Sequence, residues 1–184
     1  MKRCKWCNTS NPRYIDYHDN IWGKPNFDSR YRYMYMMFIL ESFQAGLSWE
    51  TILNKINAFK EDYDDFDIRK VKEYNQDKID FLCNDKRIIR NKSKILASIS
   101  NSKLYYQIEK EYGSFYDFLK TFTKGKTYYE IDKASSPLSI EISLELKRRG
   151  FKYCGPKIIY SYLQAIGIIY SHDKDCYLYK GNNN

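Results

Sequence analysis

Lys147-Arg148-Arg149-Gly150-Phe151-Lys152-Tyr153-Cys154-Gly155-Pro156-Lys157 is the stretch from which the fold is read. Upstream of it, Ser136-Pro137 is a helix start with proline at the first helical position, and Gly150 ends that helix. Downstream, Pro156 opens a second helix that Gly167 closes. Two helices therefore flank a short turn with a glycine at each end. The second helix begins with backbone N–H groups that have no intrahelical partner, so Lys152, Gly155 and Lys157 are candidates to hold a phosphate without reading sequence. Joints of this kind also occur in helical proteins that bind nothing, and the turn alone leaves both readings open.

Outward from this hairpin the hydrophobic period is helical, with almost no alternating strand pattern, so the expected fold class is all-α. Asp28 or Ser29 caps a helix running to about Ala45, with Gly46 placed to end it. Ser48 caps the next, through Trp49, Ile52, Leu53 and Ile56. Asp67 and Asp77 are candidate caps for two short helices. A longer helical region runs from about Arg87 to Tyr112, Gly113 stops it, and Ser114 caps another short helix. Residues 123–135 read as a loop and 181–184 as a disordered tail. No repeat or long linker divides the 184 residues, so one unit of two helical lobes is expected.

Lys and Arg number 31 against 23 Asp and Glu, a net charge of +8, which points to an anionic partner with nucleic acid first. Two acid-free stretches carry Lys86, Arg87, Arg90, Lys92 and Lys94, and Lys147, Arg148, Arg149, Lys152 and Lys157. They form the candidate nucleic-acid face, against the alternative of a solvated surface whose cations offset helix dipoles. Glu61, Asp62, Asp64, Asp65 and Asp67 are expected to face away from it. The apolar run over residues 33–40 is far shorter than the roughly 20 residues that span a bilayer, so no membrane partner is expected. No apolar run follows the N-terminal charges, which predicts a protein that is not secreted and stays in a reducing compartment: the cytoplasm, the nucleoid, or a nucleus.

Aromatic residues make up 17% of the chain, too many to be core alone, and some are expected to line a surface or cleft. Glu41 shares a helix face with Met34, Met37, Phe38 and Ala45 near the end of an apolar helix, where the dipole opposes its charge. Such a carboxylate needs either a function or a buried Arg or Lys partner. Five cysteines, an odd number, argue for buried thiols or a metal site over a disulfide framework. The two histidines each lie near a cysteine, giving Cys4, His18, His172 and Cys176 as a tetrahedral set for Zn²⁺, with Cys7 of the Cys4-x-x-Cys7 pair competing.

Four segments then occur together. They are Tyr14-Ile15-Asp16-Tyr17-His18-Asp19-Asn20-Ile21-Trp22-Gly23-Lys24-Pro25, Glu41 to Trp49, Ile88-Ile89-Arg90-Asn91-Lys92-Ser93-Lys94-Ile95, and Arg149-Gly150-Phe151-Lys152-Tyr153-Cys154-Gly155. In order and spacing they resemble the DNA-3-methyladenine glycosylase I family, over nearly the whole chain. The resemblance implies the helix-hairpin-helix DNA glycosylase fold, with residues 137–167 as the DNA-binding element. It implies a structural zinc on Cys4, His18, His172 and Cys176 that joins residues 1–22 to 168–180. It also implies a base pocket of Trp6, Tyr14, Tyr17 and Trp49 with Glu41 as the essential carboxylate, and a monomeric enzyme acting on double-stranded alkylated DNA. No Asp is given a catalytic role, although Asp173 and Asp175 stand near the end. Lys157 lies at the spacing of the Schiff-base lysine of bifunctional relatives, but lacks its companion Asp and is read as a phosphate contact. A non-enzymatic damage-binding protein on the same scaffold is the competing reading, against which Glu41, Trp49 and Tyr17 favour the enzyme.

Overall fold

The computed structural model describes residues 1–24 and 30–181. The caps proposed at Asp28 or Ser29 and the tail at 182–184 lie outside the described residues. Ten α-helices are described: α1 (Pro12–Asp16, continued by a π-helical turn, Tyr17–Ile21), α2 (Arg30–Gln44), α3 (Trp49–Leu53), α4 (Ile56–Asp62), α5 (Ile68–Val71), α6 (Gln76–Asn84), α7 (Lys92–Tyr112), α8 (Phe115–Thr123), α9 (Pro137–Arg148) and α10 (Pro156–Ala165), with a 3₁₀ turn at Asp64–Phe66. Among the described residues, no helix is long and apolar enough to cross a membrane.

Local chemistry sets most of the boundaries. Ser48, Asp67 and Ser114 each accept a backbone N–H at the start of α3, α5 and α8. Ser136 and Ser139 form a reciprocal capping box at α9. Asp77 is not a cap: Asn75 takes that place for α6, and Asp77 lies in its first turn. The helix expected from Arg87 begins only at Lys92, because Asn91 accepts from the Lys94 amide and fixes the start there. The helix expected through Ile56 is broken at Asn54 and Lys55 into α3 and α4.

The core is aromatic. Phe38 of α2 meets Tyr105, Phe115, Phe151 and Tyr162 edge-on at 5.5–5.8 Å, drawing α7, α8 and α10 around one buried helix. Residues 123–135 are not wholly loop. Strand β1 (Tyr128–Tyr129) pairs in parallel with β2 (Ile169–Tyr170), a pairing between distant segments too short to leave an alternating pattern.

The turn between α9 and α10 is fastened to α7. Asn101, fully buried, donates from Nδ2 to Lys152 O at 2.8 Å and accepts from Lys152 N at 2.9 Å, and Ser143 Oγ donates to Cys154 O. Gly150 adopts φ +97°, with a side chain of α7 beside it, so a glycine fits there best.

The basic stretches are less uniform than their composition suggests. Arg87 is bound by Glu61, Asp62 and Asp85, so part of the acidic segment faces this stretch instead of turning away. Lys94 is buried and donates to the carbonyls of Phe43 and Ala45 at the end of α2. Arg148 and Arg149 pair with Glu145, and Arg149 also with Glu111. Lys86, Arg90, Lys92, Lys147, Lys152 and Lys157 are exposed and form no ion pair among the described residues.

Asn101→Ala leaves the Lys152 amide and carbonyl without their partners. Urea denaturation should show a loss of about 2–4 kcal/mol; an unchanged midpoint would mean that this clamp does not hold the turn.

Candidate active site and metal centre

Short elements near the N-terminus bring together side chains that the sequence separates. Asn11 caps α1 and Pro12 occupies its first turn, so Tyr14 and Tyr17 emerge beside each other on α1 and the π turn. Ser48 starts α3, which sets Trp49 at its first position. Glu50 then accepts from Asn8 and Asn11, both at 2.9 Å, and ties α3 to the N-terminal segment. Trp6 packs edge-on against Tyr14 at 5.8 Å and against Trp22 at 4.8 Å, while Tyr17 lies 5.1 Å from Trp49.

With Glu41 and Gln44 of α2 these rings line a cavity of about 400 Å³. All five residues read as pocket candidates, Trp6, Tyr14, Tyr17, Glu41 and Trp49, are in its wall. Trp22, from the Tyr14–Pro25 segment, is a further aromatic wall residue beyond those five. Asp132, Lys133, Ser161, Gln164, Ser171 and Asp173 complete the wall and carry no sequence signal of their own, because distant segments supply them.

Glu41 is 3% exposed, and its Oε2 has no hydrogen-bond partner among the described residues. No ion pair to it exists among the described residues, so the buried-cation alternative is not realised. The buried Lys94 serves the α2 carbonyls instead. Burial alone pushes the Glu41 carboxyl up to about 8. Burial likewise raises Tyr14 to about 12 and Tyr17 well above its ordinary value, keeping both as neutral hydroxyls. Trp49 Nε1 is a second buried polar atom without a partner among the described residues. The cavity thus offers one unmet acceptor and one unmet donor among aromatic faces.

Behind this cavity the two ends of the chain meet. Cys4 Sγ lies 3.3 Å from His172 Nδ1, and Cys176 Sγ lies 3.5 Å from His18 Nε2 and 3.6 Å from His172 Nδ1. The four ligand atoms fall within 4.8 Å of one another, and all four residues are buried, a group able to hold a metal ion. Cys7 is not part of it; its thiol points to the Tyr14 carbonyl at 3.7 Å. His18 Nδ1 is 2.7 Å from Asp19, whose carboxylate Arg3 grips through two nitrogens and holds well below the usual carboxylate range. That outer pair fixes which ring nitrogen of His18 faces the cluster.

A family model described as Methyladenine glycosylase matches residues 6–179. The chain is 39% identical to the DNA-3-methyladenine glycosylase 1 of Escherichia coli strain K12, with 99% of each covered. A crystal structure of a 3-methyladenine DNA glycosylase I superposes with a TM-score of 0.89 at 35% identity, over 97% of this chain and 100% of that one. A structure of 3-methyladenine recognition by the Staphylococcus aureus 3-methyladenine DNA glycosylase I gives 0.86 at 34% identity, over 95% and 96%.

The position of Glu41 has a stability consequence. Its ordinary value is 4.5 and its folded value about 8, so the folded chain keeps a proton that the unfolded chain has already released between those pH values. Stability contributed by this group therefore falls as pH rises through that window. Glu41→Gln removes the effect, and its stability relative to wild type should increase by about 2–4 kcal/mol between roughly pH 5 and pH 8. Urea titrations at several pH values read this directly; a difference independent of pH would mean that Glu41 carries its charge in the folded state.

Proposed function

Because the chain belongs to the methyladenine glycosylase family, we propose that it is a DNA glycosylase that hydrolyses the N-glycosidic bond of 3-methyladenine in alkylated double-stranded DNA. The observation that carries this reading is Glu41: a buried carboxyl with no cation paired to it among the described residues, set among Trp6, Tyr14, Tyr17 and Trp49. A cavity of that kind favours a planar ligand that brings its own positive charge and a hydrogen-bond donor.

An adenine methylated at N3 has both. Its charge is spread over the ring, so the aromatic faces favour it over neutral adenine by about 0.5–2 kcal/mol. Its exocyclic amino group donates to Glu41, and its charge favours the carboxylate form that burial alone disfavours. Neutral adenine offers no such compensation. Glu41 is reached only by a base that has left the stack, and a damaged base leaves more readily. Methylation also makes the base a good leaving group, so the site has little acid catalysis to supply.

For DNA, the proposal gives the backbone contacts to residues 137–167, with Lys152, Gly155 and Lys157 at the start of α10. Lys152 and Lys157 are exposed and unpaired among the described residues, and the free N–H groups of the first turn of α10 favour a phosphate. Lys157 is not in the cavity wall, which supports a phosphate contact and a monofunctional hydrolysis. Pocket, hairpin and cluster are each complete within one chain, which supports a monomer, and five free cysteines support a reducing compartment.

The donor set of the terminal cluster fits Zn²⁺. Tetrahedral bonds of about 2.3 Å to sulfur and about 2.0 Å to nitrogen leave ligand atoms roughly 3.3–3.8 Å apart, and three contacts between Sγ and ring nitrogens, at 3.3, 3.5 and 3.6 Å, lie in that range. Cys4, His18, His172 and Cys176 would fill every position of the ion, so its contribution is structural.

Release of free base from methylated duplex tests the function. Glu41→Gln should lose most of it while duplex binding stays within about a few-fold, whereas Lys152→Ala and Lys157→Ala should weaken binding to all sequences alike and reduce its salt dependence. Full release by Glu41→Gln would remove that residue from the reaction. For the metal, freshly purified protein should contain one zinc per chain that His172→Ala loses and Cys7→Ser keeps, with the His172 variant several kcal/mol less stable. Elemental analysis without stoichiometric zinc would refute the assignment.

A further inference from the structure

A second, smaller cavity of about 100 Å³ lies against the first. Its wall includes Trp22, Gln164 and Ser171, and the same three residues line the cavity of about 400 Å³ that contains Glu41. Their side chains therefore form the partition between the two spaces. Behind it the rear space is bounded in part by Ile169 and Leu178, so it offers apolar surface.

The three residues are not held alike. Trp22 is wedged edge-on between Trp6 and His172, with ring centroids 4.8 Å from each. Ser171 Oγ donates to Glu130 O. The half-buried Gln164 has no side-chain hydrogen bond among the described residues. It is the one member of the partition whose end is held by neither a ring contact nor a hydrogen bond there.

Its backbone, by contrast, is fixed. Gln164 lies in the last turn of α10, where its carbonyl accepts from Gly167 N at 3.1 Å. The next carbonyl, Ala165 O, accepts from both Gly23 N and Tyr33 Oη at 3.0 Å, which bolts this helix end to the N-terminal segment and to α2. A side chain rooted so firmly, with an unbonded end, can be shortened without releasing any neighbour.

We propose that Gln164 is a specificity-determining residue: its side chain closes the rear cavity off and so sets the largest base that the aromatic cavity admits. This deepens the glycosylase reading and rests on it. The aromatic faces and Glu41 respond to the charge of a base and to its donor, and neither measures its size. A packed wall does, because extra atoms forced against it displace side chains, whereas the same atoms entering an open apolar space gain from burial. Selection by charge and selection by size thus reside in different residues.

Trp6, Trp22 and Trp49, the only three tryptophans of the chain, all line the larger cavity, so their fluorescence reads what enters it. The probes are free 3-methyladenine and three derivatives carrying a propyl group at C2, at C8 or on the exocyclic nitrogen. Gln164→Ala, a change that suits a helix, should raise the affinity of at least one derivative that wild type disfavours by about 10-fold relative to 3-methyladenine, the gain from burying about two methylene groups. Gln164→Met keeps the length of the side chain and drops its amide, and should rank the four bases as wild type does. An alanine variant with the wild-type ranking would overturn the proposal, as would a methionine variant that shifts in step with it, the mark of a lost amide contact. Wild type that takes all three derivatives as well as 3-methyladenine would also overturn it. Wild type that binds none of the four and releases no base from methylated duplex would instead overturn the glycosylase reading itself, and the proposal with it.

Discussion

Everything about the cavity depends on the meeting of the two chain ends. Cys4 and His172 approach to 3.3 Å across 168 residues, and the aromatic wall is built largely from the first 22 residues, which contain only one short helix and a π turn. Such a segment buries too little to hold itself in place. It is gripped at the cluster on one side and by Glu50, through Asn8 and Asn11, on the other. Closing so long a loop costs conformational entropy that grows only slowly with length, so one strong link between the ends is an efficient way to fix it.

The second constraint is electrostatic. Helix α2 ends beside the cavity, where its carbonyl dipoles are unfavourable to a carboxylate. Lys94 satisfies those carbonyls from α7, and Glu41 has no counter-ion among the described residues. One lysine therefore stabilises the helix end while the carboxyl beside it stays unmet. Proteins ordinarily pair such a group, and leaving it unpaired makes the folded state less stable at neutral pH.

How much of this is legible in sequence follows from the range of each interaction. Ser48, Asp67, Ser114 and Ser136 act within three residues of themselves, and all four helix starts can be read directly. Asn75 and Asn91 act over the same range, but neighbouring Asp77 and the basic run from Lys86 offered stronger-looking alternatives. With two histidines and five cysteines the residues alone leave Cys4 and Cys7 in competition, the resemblance favours Cys4, and the geometry groups Cys4 with His18, His172 and Cys176 and leaves Cys7 outside. Asn101, the β1–β2 pair and the polar half of the cavity wall act across distances of tens of residues, with side chains common on any surface, and nothing local marks them. The charge of Arg87 or Lys94 is visible in sequence, but whether a partner already uses it is not.

Helix α7 carries both Lys94, which holds the end of the Glu41 helix, and Asn101, which holds the turn between α9 and α10. Seven residues of α-helix separate them, about 10.5 Å along the axis. The helix thus fixes the spacing between the end of α2 and the turn between α9 and α10, and neither can slide along it without breaking one of these contacts.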